Sequence, residues 1–171
     1  MNKTGVLLIQ LGTPDSPEKK DVRPYLTEFL NDRRVIDFSW LKRTLLVNCI
    51  IVPFRTKNSS KIYKELWEIG KGVSPLLVYT ENLRKKVAAR LADQADVYVA
   101  MRYKNPSIPS VLAEMKKKNY EKIVVLPLFP QYACDSYGYS IEYVIDVFKL
   151  WWVIPNIVLI SQFCDNEGYL N

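Results

Sequence analysis

Arginines and tyrosines beside turns are the side chains of this sequence best suited to chemistry. Arg55 and Tyr63 flank the end of a proline-interrupted apolar stretch, and Arg102 is followed directly by Tyr103 where a strand should run into a turn. A guanidinium offers a planar fork of donors that matches a carboxylate, and a phenol adds an apolar face with one polar tip. Together they suit a flat, apolar ligand with acidic arms. They equally suit a solvated surface on which long stems cover apolar neighbours. A third element is residues 123–140, IVVLPLFPQYACDSYGYS. There a β-branched run meets Pro127 and Pro130 and passes into a polar, aromatic segment that cannot readily continue a sheet. In an open α/β sheet ligands sit beyond the carboxyl ends of the strands, so Gln131, Tyr132, Ser136 and Tyr137 are placed to form a site wall.

Other chemistries are excluded by what the sequence lacks. It has no histidine, which rules out a Ser-His-Asp triad and removes the commonest transition-metal ligand and near-neutral acid/base. Cys49, Cys134 and Cys164 are scattered and make no zinc spacing. Neither a Walker loop nor a G-x-G-x-x-G turn follows any strand, which sets nucleotide-phosphate binding of those kinds aside. No residue is expected to act as a catalytic base or to hold a resident metal.

The elements that must position these residues alternate. Residues 4–11, TGVLLIQL, read as a buried strand that breaks at Gly12-Thr13-Pro14-Asp15. Val22, Tyr25, Leu26, Phe29 and Leu30 predict a helix over 21–31, with Pro24 in its first turn and Asp15, Ser16 or Asp21 as the cap. The segment from Trp40 to Phe54 is the most apolar helical stretch, too short to span a membrane. Two readings stay open for it, a core helix or an exposed lip that touches a membrane or an apolar ligand. After Pro53, residues 59–69 should bury Ile62, Leu66 and Ile69. Ser74-Pro75 starts a helix of about four turns. Strands over 96–101, 121–127 and 156–161 and helices over 108–118 and 140–150 complete the pattern, with Arg102 to Pro106 as a loop. The fold class is therefore α/β: a parallel four-stranded sheet with helices on both faces.

At 171 residues, 49% of them hydrophobic, one domain is the default and disorder is excluded. The net charge of +6 favours anionic partners without choosing among phosphates, carboxylates and membranes. Arg84-Lys85-Lys86 and Lys116-Lys117-Lys118 read as solvated helix faces, so nucleic acid is not an expected partner. Three unpaired-looking cysteines and no leader before Gly5 point to a reducing, cytoplasmic setting.

Six stretches in one order carry a resemblance: Leu11-Gly12-Thr13-Pro14, RPYLTEFLNDRRVID from Arg23, the Arg55 to Tyr63 spacing, Gly72-Val73-Ser74-Pro75-Leu76, Met101-Arg102-Tyr103 with Pro106, and Pro127-Leu128-Phe129-Pro130-Gln131-Tyr132. Together they resemble the ferrochelatases over nearly the whole chain. The resemblance implies a Rossmann-like chelatase lobe, residues 1–171 being the amino-terminal one of two, and insertion of ferrous iron into a porphyrin in haem biosynthesis. Iron and porphyrin are then substrates, and no cofactor is required by this chain. It also implies that Arg55, Tyr63, Arg102 and Tyr103 hold the porphyrin and its carboxylates, that Leu11 faces the macrocycle, and that Ser74 and Ser136 line the same cleft. The apolar segment from Trp40 to Phe54 corresponds to the family's lip, which favours the lip reading over the core reading and allows peripheral membrane contact. The metal-handling histidine and glutamate of such proteins lie in a second lobe beyond residue 171, so the chain alone is expected to grip a porphyrin and not to turn over. The expected partner is that second lobe. The alternative is a stand-alone tetrapyrrole carrier in which two copies build the cleft; a third reading is a remnant whose surface needs the absent lobe. Cys134, where some relatives place an iron-sulfur ligand, is expected to be inert. Protoporphyrin and coproporphyrin are not distinguished.

Overall fold

The computed structural model describes residues 3–170, with the Asp135 side chain excepted. Four strands, β1 (Thr4–Gly12), β2 (Asp96–Tyr103), β3 (Lys122–Pro127) and β4 (Asn156–Leu159), form one parallel sheet in the order β2-β1-β3-β4. The register sets Thr4 beside Lys122 and Lys122 beside Asn156. The helices are α1 (Lys19–Leu30), α2 (Trp40–Leu45), α3 (Val52–Ile69), α4 (Pro75–Leu91), α5 (Ile108–Lys117), α6 (Tyr139–Phe148) and the short α7 (Glu167–Leu170). This is the α/β class read from the alternation of apolar runs.

The described chain sorts into two compact units. The first contains residues 3–11, 80–102 and 106–170 and holds the sheet. Leu7 and Ile9 of β1 and Ile123 and Val125 of β3 pack with Ile108, Val111, Leu112 and Met115 of α5 and Ile141, Val144 and Phe148 of α6 in one core. Leu8 is buried as well, so β1 is covered on both faces, as its unbroken apolar run requires. At the other edge β4 is poorly covered. Val158 and Leu159 are exposed, and the turn before it displays Leu150, Trp152 and Val153, with Trp152 99% exposed.

The second unit contains residues 12–79 and 103–105. Its core joins Val22, Tyr25, Leu26 and Leu30 of α1 to Val52 and Trp67 of α3 and to Val47. Here the structure corrects several expectations. Helix α1 begins at Lys19, so Pro24 lies in the helix interior and not in its first turn. The cap position is Glu18, and Ser16 assists by accepting from the Glu18 N–H at 3.2 Å. The chain from Trp40 to Ile69 does not break at Pro53. A π turn at Leu46–Ile51 joins α2 to α3, with the Val52 N–H donating to the Val47 carbonyl. The wider turn admits the proline ring next to the preceding carbonyls and leaves Pro53 in the first turn of α3, where an N–H is not needed.

The buried face of α3 is also not the one expected. Ile62 and Ile69 are 58% and 71% exposed, whereas Thr56, Ser60 and Trp67 are buried. Ser60 donates to the Pro17 carbonyl at 2.7 Å, Thr56 donates to the Val52 carbonyl at 2.6 Å, and Tyr63 meets the Tyr25 ring edge-on. Small hydroxyls and aromatics give a closer helix contact against α1 than the branched aliphatics would, once their polar atoms are satisfied. The apolar lip segment is exposed over most of its length, including Trp40, Leu41, Leu45, Ile50 and Phe54. No described helix is long and apolar enough to cross a membrane.

Candidate functional site

Of the seven porphyrin-site residues that the resemblance implies, three belong to the first unit, at or after the carboxyl ends of its strands. Leu11 is the next-to-last residue of β1, Arg102 the next-to-last of β2, and Ser136 lies in the segment after β3. Strand β2 runs on to Tyr103, so Arg102 and Tyr103 belong to a strand and not to the loop expected for them. Leu11 is half-buried, its N–H taken by the Gln10 side chain at 2.9 Å.

Arg102 is the most constrained cation of this unit. Only 9% of it is exposed, and its guanidinium carbon sits 4.1 Å from the centre of the Tyr139 ring and 4.6 Å from that of Tyr143. Both tyrosines belong to α6, four positions apart, so one helical turn presents two ring faces to one cation. Each such contact is worth about 0.5–2 kcal/mol, and together they fix the plane of the guanidinium. Tyr143 was not among the residues picked from sequence; its signal was the Tyr139-Tyr143 spacing on a helix that follows the aromatic loop.

The segment between β3 and α6 is not wholly a loop, as expected, because residues 134–138 make a second π turn that runs into α6. The Gly138 N–H donates to the Ala133 carbonyl at 3.1 Å, and Ser140, fully buried, donates to the Ser136 carbonyl at 2.7 Å. Tyr137 is buried with Tyr132 tilted against it at 5.2 Å, while Gln131 and Tyr132 are exposed. Burial, and then the neighbouring Tyr132 phenol, push the Tyr137 hydroxyl above its ordinary range.

The second unit holds Arg55, Tyr63, Ser74 and Tyr103. Arg55 is exposed on α3, and Tyr63, two turns further along, is half-buried with its ring edge-on to Tyr25 at 6.0 Å and to Trp67 at 6.0 Å. The Tyr63 hydroxyl is raised above its usual range by burial, against which Tyr25 and the Arg55 guanidinium pull it down. Tyr103 is 1% exposed, edge-on to Tyr25 and to Phe29 at 5.2 Å, and its hydroxyl donates to the Asp32 carboxylate at 2.8 Å. Tyr25 thus joins Tyr63 and Tyr103 in one aromatic cluster. Ser74 is buried at the head of α4, where its carbonyl accepts from the Val78 N–H at 3.1 Å. Asp32 is the residue of this cluster that sequence inspection passed over, because an acid beside Arg33 and Arg34 reads as surface charge.

Gly12 closes the turn after β1 at φ +108°, against the Tyr103 backbone. Among the described residues no group of three or more histidine, cysteine or acidic side chains could hold a metal ion. All three cysteines are free, and Cys49 and Cys134 are exposed.

Alkaline pH tests the tyrosine clusters. Burial first, then the Tyr63 phenol, raises Tyr25 far above the ordinary tyrosine value, and burial followed by hydrogen bonds with Asp96 and Tyr98 does the same for Tyr120. A folded value above the unfolded one means that the stabilisation is complete below the unfolded value of about 10 and is lost as pH rises beyond it. Tyrosinate absorbance from these two phenols should therefore appear together with loss of the circular dichroism signal above about pH 10. Ionisation of Tyr25 and Tyr120 in a chain that stays folded would contradict these environments.

A parallel sheet in the order 2-1-3-4, with arginine, hydroxyl and aromatic side chains at and after the carboxyl ends of its strands, defines a doubly wound α/β protein of the kind that binds ligands beyond its strand ends. Within that class the chain belongs to the ferrochelatase family, whose profile matches residues 3–171. It is 46% identical over 170 residues to the ferrochelatase of Coxiella burnetii (strain Dugway 5J108-111), covering 99% of this chain and 46% of that protein. It is 40% identical over 168 residues to the ferrochelatase of Legionella pneumophila (strain Corby), covering 98% of this chain and 50% of that one. With the ferrochelatase of Chromobacterium violaceum the identity is 40% over 172 residues, for 98% and 47% of the two chains. The chain thus spans about half the length of these relatives.

Proposed function

We propose that this chain is the porphyrin-gripping half of a ferrochelatase, taking part in insertion of ferrous iron into a porphyrin in haem biosynthesis and inactive without a second half. The observation that carries the reading is Arg102, a cation held against two tyrosine rings at the carboxyl end of a strand in a ferrochelatase-family sheet. A guanidinium whose plane is already fixed loses little freedom on meeting a carboxylate, which favours binding of a carboxylated ligand. Within the first unit Leu11 and Ser136 accompany Arg102, and within the second Arg55 offers an exposed cation, Tyr63 an apolar ring and Ser74 a hydroxyl at the head of α4. Tyr103, buried and bonded to Asp32, acts by holding the turn in place.

Iron insertion must remove two pyrrole protons, which calls for a base within reach of the macrocycle. The sequence contains no histidine, the commonest side-chain acid/base near neutral pH, which supports placing the proton acceptor in a second half of the enzyme. The uncovered apolar surface around Leu150, Trp152, Val153 and β4 supports such a partner, since a patch of this kind marks a contact surface. The same surface favours the second reading, a carrier in which another copy of this chain supplies the contact. The exposed side chains from Trp40 to Phe54 support peripheral contact with a membrane or with the ligand itself.

Purified chain titrated into protoporphyrin should shift the Soret band, and Arg102→Ala should weaken that binding by about tenfold or more at unchanged circular dichroism. No steady iron insertion should accompany it. Turnover by the chain alone would overturn the proposal of inactivity, and the absence of a spectral shift would overturn the grip. A dimer that binds porphyrin in its shared interface would favour the carrier.

A further inference from the structure

The second unit carries a basic cleft that the porphyrin reading does not use. It has a volume of about 450 Å³ and is lined by Lys19, Lys20 and Arg23 of α1 and by Pro53, Thr56 and Lys57 of α3. All four cations are exposed, and among the described residues none of their side chains makes a hydrogen bond or an ion pair. Among the described residues no carboxylate lines the cleft. The two acids at the start of α1 are engaged elsewhere, Glu18 with Lys64 at 3.1 Å and Asp21 with the Ser16 hydroxyl. Lys19 and Lys20 moreover open α1, the end at which the peptide dipole already disfavours positive charge. Four like charges meet in one cleft between two packed helices, with no acid among the described residues that line it, an arrangement that a bound anion relieves.

The lining also restricts the chemistry of the anion. Among the described residues it contains no aromatic ring that would stack on a flat ligand. The Thr56 hydroxyl already donates to the Val52 carbonyl, which leaves charge as the main source of recognition. Arginine provides a fork for two oxygens of one group, and lysines act as point charges around it, the combination that suits a compact, multiply charged oxyanion. We propose that this cleft binds a phosphate-bearing group, supplied by a soluble phosphoanhydride or by an anionic phospholipid headgroup. It does not rest on the porphyrin reading.

The test uses the full chain at low ionic strength, where such contacts are least screened. Pyrophosphate is titrated by calorimetry, and flotation compares phosphatidylglycerol with phosphatidylcholine vesicles. The triple variant Lys20→Gln/Arg23→Gln/Lys57→Gln is set against Lys85→Gln/Lys86→Gln/Arg90→Gln, which removes the same charge from exposed positions of α4. The cleft variant should weaken binding by about tenfold or more while the control variant binds as the unaltered chain does. Pyrophosphate binding without flotation assigns the site to a soluble anion; flotation with phosphatidylglycerol that pyrophosphate competes away assigns it to a headgroup. Equal weakening in both variants, flotation indifferent to pyrophosphate and to the cleft variant, or no binding of either probe overturns the proposal.

Discussion

Gly12→Ala is expected to lower the unfolding free energy by about 3–5 kcal/mol, among the largest effects a single substitution can have here. Two costs add at this position. At φ +108° a side chain is strained whatever surrounds it, and a Cβ built there would lie 2.0 Å from the Tyr103 carbonyl oxygen. That oxygen is backbone and cannot rotate away. The Gly12 carbonyl also accepts from the buried Tyr25 hydroxyl at 3.4 Å, so a shift of the turn disturbs the aromatic cluster as well. Gly72 supplies the control, because its φ is +91° and a Cβ added to it would meet no atom within 4 Å. Gly72→Ala should cost only the strain, about 1–2 kcal/mol. Urea midpoints of the two variants separate the terms, and equal losses would refute the close approach.

Asp32→Ala is expected to cost about 2–4 kcal/mol, since it strands a phenol that has no access to water. Asp32 is 5% exposed and accepts from the Tyr103 hydroxyl at 2.8 Å and from the Arg34 N–H at 2.9 Å. Tyr103→Phe removes the donor with less damage, because the carboxylate keeps its backbone partner. The double variant should therefore be less destabilised than the sum of the singles, by about 1–2 kcal/mol, in a thermal or urea cycle. Strict additivity would show that the two residues do not act as a pair. In the porphyrin titration Tyr103→Phe should change affinity less than Arg102→Ala, as expected of a residue that positions a turn.

The alternation of β-branched runs with amphipathic segments was enough to reveal the sheet, because strands buried on both faces must be apolar throughout, as β1 is. Proline and glycine placed Ser74-Pro75 at the head of α4 and Gly12 at the turn after β1. The site was less legible. Arg102 was visible by type and position, but its pairing with Tyr139 and Tyr143 depends on which turn of α6 faces β2. Asp32 was hidden by its neighbours Arg33 and Arg34. The face of α3 was misread because periodicity ranks Ile62 and Ile69 above Thr56 and Ser60, whereas short hydroxyls bonded to nearby carbonyls can be buried at little cost. Pro53 reads as a terminator because a proline inside an α-helix removes a hydrogen bond and crowds the preceding turn, and hydropathy does not announce a π turn.

That π turn also keeps time for the helix. Each residue added to or taken from a helix rotates everything on one side of it by about 100° and shifts it by about 1.5 Å. Residues 46–51 stand between Trp40 and Leu41 on one side and Arg55 and Tyr63 on the other, so their spare residue sets the angle between the exposed apolar pair and the arginine-tyrosine pair. Removing one residue there would leave composition and charge almost untouched while swinging Trp40 about a quarter of the way around the axis, a change in aim without a change in chemistry.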